Sequence, residues 1–246
     1  MTKDMTSGSP MKLVLHFAIP LMFGNLFQQF YSMVDTVIVG RFLGTSALAA
    51  VGSTGSINFL IVGFCIGVCS GFSIPVAQSF GSKSFEDLRR FVGNILWLAV
   101  GFSLLFTVAT VALCRPILEW MDTPADIIGD AYNYIVVIFL GIPTIILYNA
   151  LASLLRALGD SRTPVVFLVV ASLLNIALDL FLILVIPMGV AGAAWATVIS
   201  QGISGLACLG FIWKKVPALH TARDDLRLRG ICLRRLLGMG VPMGLQ

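Results

Sequence analysis

The sequence predicts an all-α membrane protein, a bundle of six transmembrane helices followed by the start of a seventh. Hydrophobic residues make up 58% of the chain and charged residues 11%, where soluble domains average about 25% charged. The mean hydropathy is +0.96. The apolar residues gather into runs long enough to cross about 30 Å of hydrocarbon as helix. Lys and Arg fall outside those runs or at their edges, where basic residues set topology. The net charge of +4 therefore implies no nucleic-acid partner.

The runs place spans at 13–40, 46–80, 91–114, 130–158, 164–186 and 189–213. The first follows a short polar stretch, is too long for a signal-peptide core and has no small-residue cleavage site, so it is retained. The first, second and fourth exceed the length a bilayer requires, and Pro20, Pro75 and Pro143 mark the expected bends. In the second, Gly63, Gly67 and Gly71 are spaced four apart and form a flat face for a close helix neighbour. The third lies between Arg90 and Arg115, and the fourth follows an acidic loop with Glu119, Asp122, Asp126 and Asp130. "RALGDSRTP" then supplies a Gly-Asp turn and a proline at the start of the fifth span, as a tight turn requires. The sixth ends at Lys214 and Lys215.

Of the sixteen Lys and Arg residues, only Arg41 and Arg115 lie on the side of the acidic loop. The other fourteen put the N-terminus and the 214–235 region in the cytoplasm and the chain in the cytoplasmic (inner) membrane. "KLVLHFAIPLMFG" (Lys12 to Gly24) returns as "RRLLGMGVPMGLQ" (Arg234 to Gln246), 222 residues later. The domains are accordingly a six-helix lobe over 1–213, a basic linker over 214–233 and the start of a second repeat over 234–246. An even number of spans makes such repeats parallel, and the expectation is the first half of a twelve-helix protein.

A charged side chain at mid-bilayer costs about 2.5–3.5 kcal/mol even on lenient scales, so Asp35 and Asp179 should face a bundle interior or water. Their neighbours agree. Asn25, Gln28, Ser32 and Asp35 recur every three or four residues on the first span; Ser172, Asn175 and Asp179 do so on the fifth, and Thr197, Gln201 and Ser204 on the sixth. Each set is one polar stripe. At 1.5 Å per residue, Asp35, Asn175, Asp179 and Thr197 lie roughly 8–16 Å below the outer surface. Two carboxylates, an amide and a hydroxyl at one depth suit a shared proton or a hard cation with oxygen ligands. A network that only joins helices would be worth about 0.6 kcal/mol per bond, a small return for two buried charges.

Other motifs carry less. "GSKS" (Gly81 to Ser84) lacks the first glycine of a phosphate loop. His16 and His220 have no metal-ligand partners at suitable spacing, and Cys65, Cys69, Cys114, Cys208 and Cys232 lack zinc or disulfide spacing, which leaves them as packing thiols. No constellation of nucleophile and base appears, so the expectation is a non-enzyme that needs no cofactor.

"MVDTVIVGRFLG", "RALGDSRTP" and "NIALD" followed by "GVAGAAWAT" resemble the N-terminal half of the multidrug and toxic compound extrusion (MATE) transporters, over essentially the whole chain. The resemblance implies the N-terminal lobe of a twelve-helix antiporter that exports organic cations or amphipathic drugs in exchange for protons or sodium. It implies ion-coupling roles for Asp35, Asn175, Asp179 and Thr197, a supporting polar network of Gln28, Tyr134 and Asn149, and a bending role for Pro20. The implied partners are those drugs, membrane lipids and the C-terminal lobe of the same chain. The alternatives are a lipid-linked saccharide flippase, which should carry cations in its cavity where these spans carry acids, and a structural membrane protein without transport. Sodium could bind the four oxygens with no cationic side chain nearby to compete.

Overall fold

A computed structural model describes residues 9–222 and 224–246; Lys3 and Arg223, two of the fourteen basic residues on the cytoplasmic side, lie outside them. Eight α-helices follow in order: α1 (Pro10–Phe42), α2 (Gly44–Gly81), α3 (Phe85–Trp120), α4 (Ile128–Leu140), α5 (Ile142–Ala157), α6 (Arg162–Leu180), α7 (Val190–Lys215) and α8 (Gly230–Gly244). Five helices are long and apolar enough to cross a membrane, or six when α4 and α5 count as one bent span.

The fourth span bends near Pro143, as expected, and is interrupted there, with α4 and α5 meeting at 46°. Pro143 cannot donate to the carbonyl four residues back, and the interruption falls at Gly141. A Cβ there would lie 2.2 Å from Val198 Cγ2 of α7, so the chain crosses α7 where it has no side chain, and Pro143 opens α5. The helix is continuous through Pro20 and Pro75. The third span is also longer than expected, because its ends are charged helix: Glu86 and Asp87 sit in the first turn of α3 and pair with Arg90, while Arg115 pairs with Glu119 at 3.2 Å. Such residues lower hydropathy without ending a helix. The fifth span closes in a π-turn over Phe181–Val185. Gly189 then turns the chain at φ 61°, a conformation that favours glycine.

The buried apolar side chains form two clusters. One gathers Val39, Ala50, Leu118, Ile135, Phe139 and Ala193 toward one end; the other gathers Phe72, Leu88, Ile95, Leu155, Leu158 and Leu236 toward the basic end. Gly67 and Gly71 form the expected flat face, and its neighbour is α8. A Cβ on Gly67 would stand 2.6 Å from the Met243 carbonyl oxygen, and one on Gly71 would stand 2.6 Å from Gly240 Cα. Gly63 has nothing within 4 Å and plays no part in the crossing.

The region expected as a 214–233 linker is partly helical, since α7 continues through Lys215 and α8 begins at Gly230. What lies between is fastened to α3. Buried Asn94 donates to the Arg227 carbonyl at 3.4 Å and accepts from the Arg229 amide at 3.1 Å, and the Trp97 indole donates to the Leu226 carbonyl at 2.9 Å. In the Gly-Asp turn, Asp160 accepts from the Thr163 amide at 3.0 Å and from its hydroxyl at 2.6 Å. Burial pushes the Asp160 carboxyl up, but hydrogen bonds, those from Thr163 among them, outweigh burial and hold it below the usual carboxylate range.

Candidate functional site

The polar stripe of α1 faces a cavity of about 260 Å³ that α2, α4, α5, α6 and α7 complete. It follows directly from helix geometry: Gly24, Asn25, Gln28, Tyr31, Ser32 and Asp35 all line the wall because residues three and four apart share a face. Apart from Ile38 and Val39, which join the core, α1 is little buried, and only 6% of its most apolar window is buried. Gly24 lets it approach α6, where a Cβ would come 3.0 Å from Val165.

Of the residues singled out in the sequence, Gln28, Asp35, Tyr134, Asn149 and Thr197 line this cavity. Asn175 lines a small adjoining pocket with Ser172, Thr197 and Gln201. Asp179 lies deeper, with no exposed surface. Asn175 Nδ2 donates to the Thr197 hydroxyl at 3.3 Å, and that hydroxyl donates to the Ala193 carbonyl at 3.2 Å. Pro20 precedes the cavity wall by one residue, Leu21 being its first member. Ser204 is turned away, donating to the Phe167 carbonyl at 3.4 Å.

Asp35 and Asp179 are neighbouring groups that feel one another's charge. As carboxylates both are acceptors only. Asp35 Oδ1, Asn175 Oδ1, both oxygens of Asp179 and Gln201 Oε1 are buried without a donor among the described residues. Buried polar oxygens in native proteins are normally satisfied, so these acceptors call for donors that the described side chains do not supply. A proton between the two acids, or a small cation among their oxygens, would satisfy them.

Three wall residues were not found from sequence. Tyr31 completes the α1 stripe but reads as an aromatic packing residue, and Asn58 of α2 stands alone in an apolar run. Arg156 is the third and corrects an expectation. It lies at the end of a span, where a basic residue signals topology, yet in the last turn of α5 it is half-buried, donates to Ser153 Oγ at 2.9 Å and lines the same cavity as Asp35. The cavity therefore holds a cationic side chain as well as the Asp35 carboxyl, contrary to the expectation of none.

The MatE family model matches residues 20–181. A probable multidrug resistance protein of Bacillus subtilis, YoeA, is 35% identical over 94% of this chain and 51% of its own length. A second from the same organism, YpnP, is 30% identical over 99% and 54%. The chain thus spans about half the length of the curated relatives it matches. Among solved structures, an outward-facing multidrug resistance MATE family transporter of the MOP superfamily superposes with a TM-score of 0.91 at 26% identity, over 100% of this chain and 55% of that one. A MOP superfamily transporter from Pyrococcus furiosus, described by the reversed polarity of its binding pocket, has the same TM-score, identity and coverage.

Proposed function

Because the chain belongs to the MatE family, we propose that these helices form the ion-coupling lobe of an antiporter that exports organic cations or amphipathic drugs. The observation that carries this is the donorless pair Asp35 and Asp179 beside a polar cavity. Binding one proton or sodium ion cancels a unit of charge there. A lobe with two arrangements of α1 over the cavity is biased by the difference in affinity between them. α1 suits that role because it is thinly packed and carries both Pro20 and Asp35.

Exchange of a monovalent drug cation for one ion moves no net charge. A second entering ion would couple the membrane potential at about 2.3 kcal/mol per 100 mV, and two carboxylates leave room for it. Arg156 gives the cavity a fixed positive charge, so compounds with an anionic as well as a cationic end suit its wall. The topology that goes with this reading has the N-terminus and the basic end in the cytoplasm, supported by the distribution of Lys and Arg, and a second lobe completing the substrate chamber.

Asp35→Asn and Asp179→Asn keep size and polarity while removing the titratable charge. In the full-length transporter reconstituted in vesicles, each should abolish drug-driven proton or sodium flux while insertion into the membrane is unchanged. Unaltered coupling in both variants would assign the acids to helix packing instead.

A further inference from the structure

We propose that a cleft at the basic end of the bundle binds the phosphodiester headgroup of an anionic phospholipid. The cleft, about 770 Å³, lies between the end of α2 and the starts of α3 and α8. Three arginines line it, in different states. Arg90 is neutralised by Glu86 and by Asp87, the latter also a wall residue. Arg235 donates to Gln78 Oε1 at 2.8 Å and lies over the Phe91 ring, 5.6 Å from its centroid, so its guanidinium is held in place but not neutralised. Arg229 makes no side-chain hydrogen bond or ion pair among the described residues. Its backbone is pinned by Asn94, which fixes where that side chain starts.

Two unneutralised guanidinium groups around one opening match a phosphate, which arginine binds through paired N–H donors. The first turn of α8 also borders the cleft and has no side-chain cap, adding backbone donors on the same side. A residue that serves topology alone needs only its charge, whereas Arg235 is oriented by an amide and an aromatic ring from two other helices. The choice of lipid over a soluble phosphate rests on the rim. Ile231 of the wall is 86% exposed, beside the arginines where acyl chains would cover it.

The test is native mass spectrometry of the purified protein in detergent with phosphatidylglycerol, phosphatidylcholine or inorganic phosphate. The variants are Arg229→Gln, Arg235→Gln and, as a control, Arg227→Gln, whose side chain is 77% exposed, pairs with Asp224 and lies outside the cleft. Phosphatidylglycerol should be retained over phosphatidylcholine, and retention should fall roughly fivefold for each cleft arginine removed but not in Arg227→Gln. Arg229 has no side-chain partner to lose, so its variant tests binding without disturbing the fold. Equal retention of the two lipids, an equal loss in Arg227→Gln, or full displacement of phosphatidylglycerol by inorganic phosphate would each overturn the proposal. None of these outcomes depends on whether Asp35 and Asp179 couple ions.

Discussion

Asn175 donates its amide hydrogen to the Thr197 hydroxyl at 3.3 Å, joining α6 to α7 beside the cavity and leaving Asn175 Oδ1 buried without a donor. The bond therefore sets which end of the amide is left as an acceptor, the end that an ion would meet in the proposed coupling site. Thr197→Val keeps the shape and removes the acceptor. Since one hydrogen bond is worth about 0.5–1.5 kcal/mol, coupling-ion affinity should fall roughly twofold to tenfold. Thr197→Ser should retain it. Isothermal titration or flux assays on the full-length transporter would show this, and an unaffected Thr197→Val would remove Thr197 from the site.

Protons and sodium should compete at the acid pair, because a proton shared by Asp35 and Asp179 uses the oxygens a sodium ion would need. Sodium binding is then strongest where the pair is deprotonated and weakens as pH falls, approaching tenfold per pH unit if one proton is displaced per ion. Measuring sodium affinity between about pH 8 and about pH 6 checks both sign and slope. A flat profile, or no sodium binding at any pH, would refute a shared site.

The α2–α8 crossing predicts a contrast between two glycines of one stripe. Gly71→Ala places a methyl group 2.6 Å from backbone atoms of Met239 and Gly240, which cannot move without shifting α8. A loss of about 1–3 kcal/mol is expected, seen as a lower midpoint in thermal unfolding. Gly63→Ala has open space around it and should leave the midpoint unchanged.

How much of this was legible in the sequence follows from the range over which each feature is determined. Residues 10–42 form one helix whose polar side chains share a wall because both facts depend on neighbours three and four positions away, which apolar and polar spacing records directly. The pairing of Asn175 with Thr197 spans 22 residues and was anticipated only as a common depth. Other features arise from contacts between distant segments. Pro143 marks the bend of the fourth span in the sequence, but the close approach of Val198 to Gly141 beside it comes from another helix. Asp179 lies behind the cavity wall while Asp35 lines it, although both are single acids in apolar runs. Arg156 resembles every other span-end cation until α5 and α1 come to line one cavity, and the linker resembles a loop until Asn94, 133 residues from Arg227, ties it down. Composition and periodicity report each helix's affinity for lipid and its polar face, whereas which faces meet, and so which charges share one cavity, is decided by steric fit between helices.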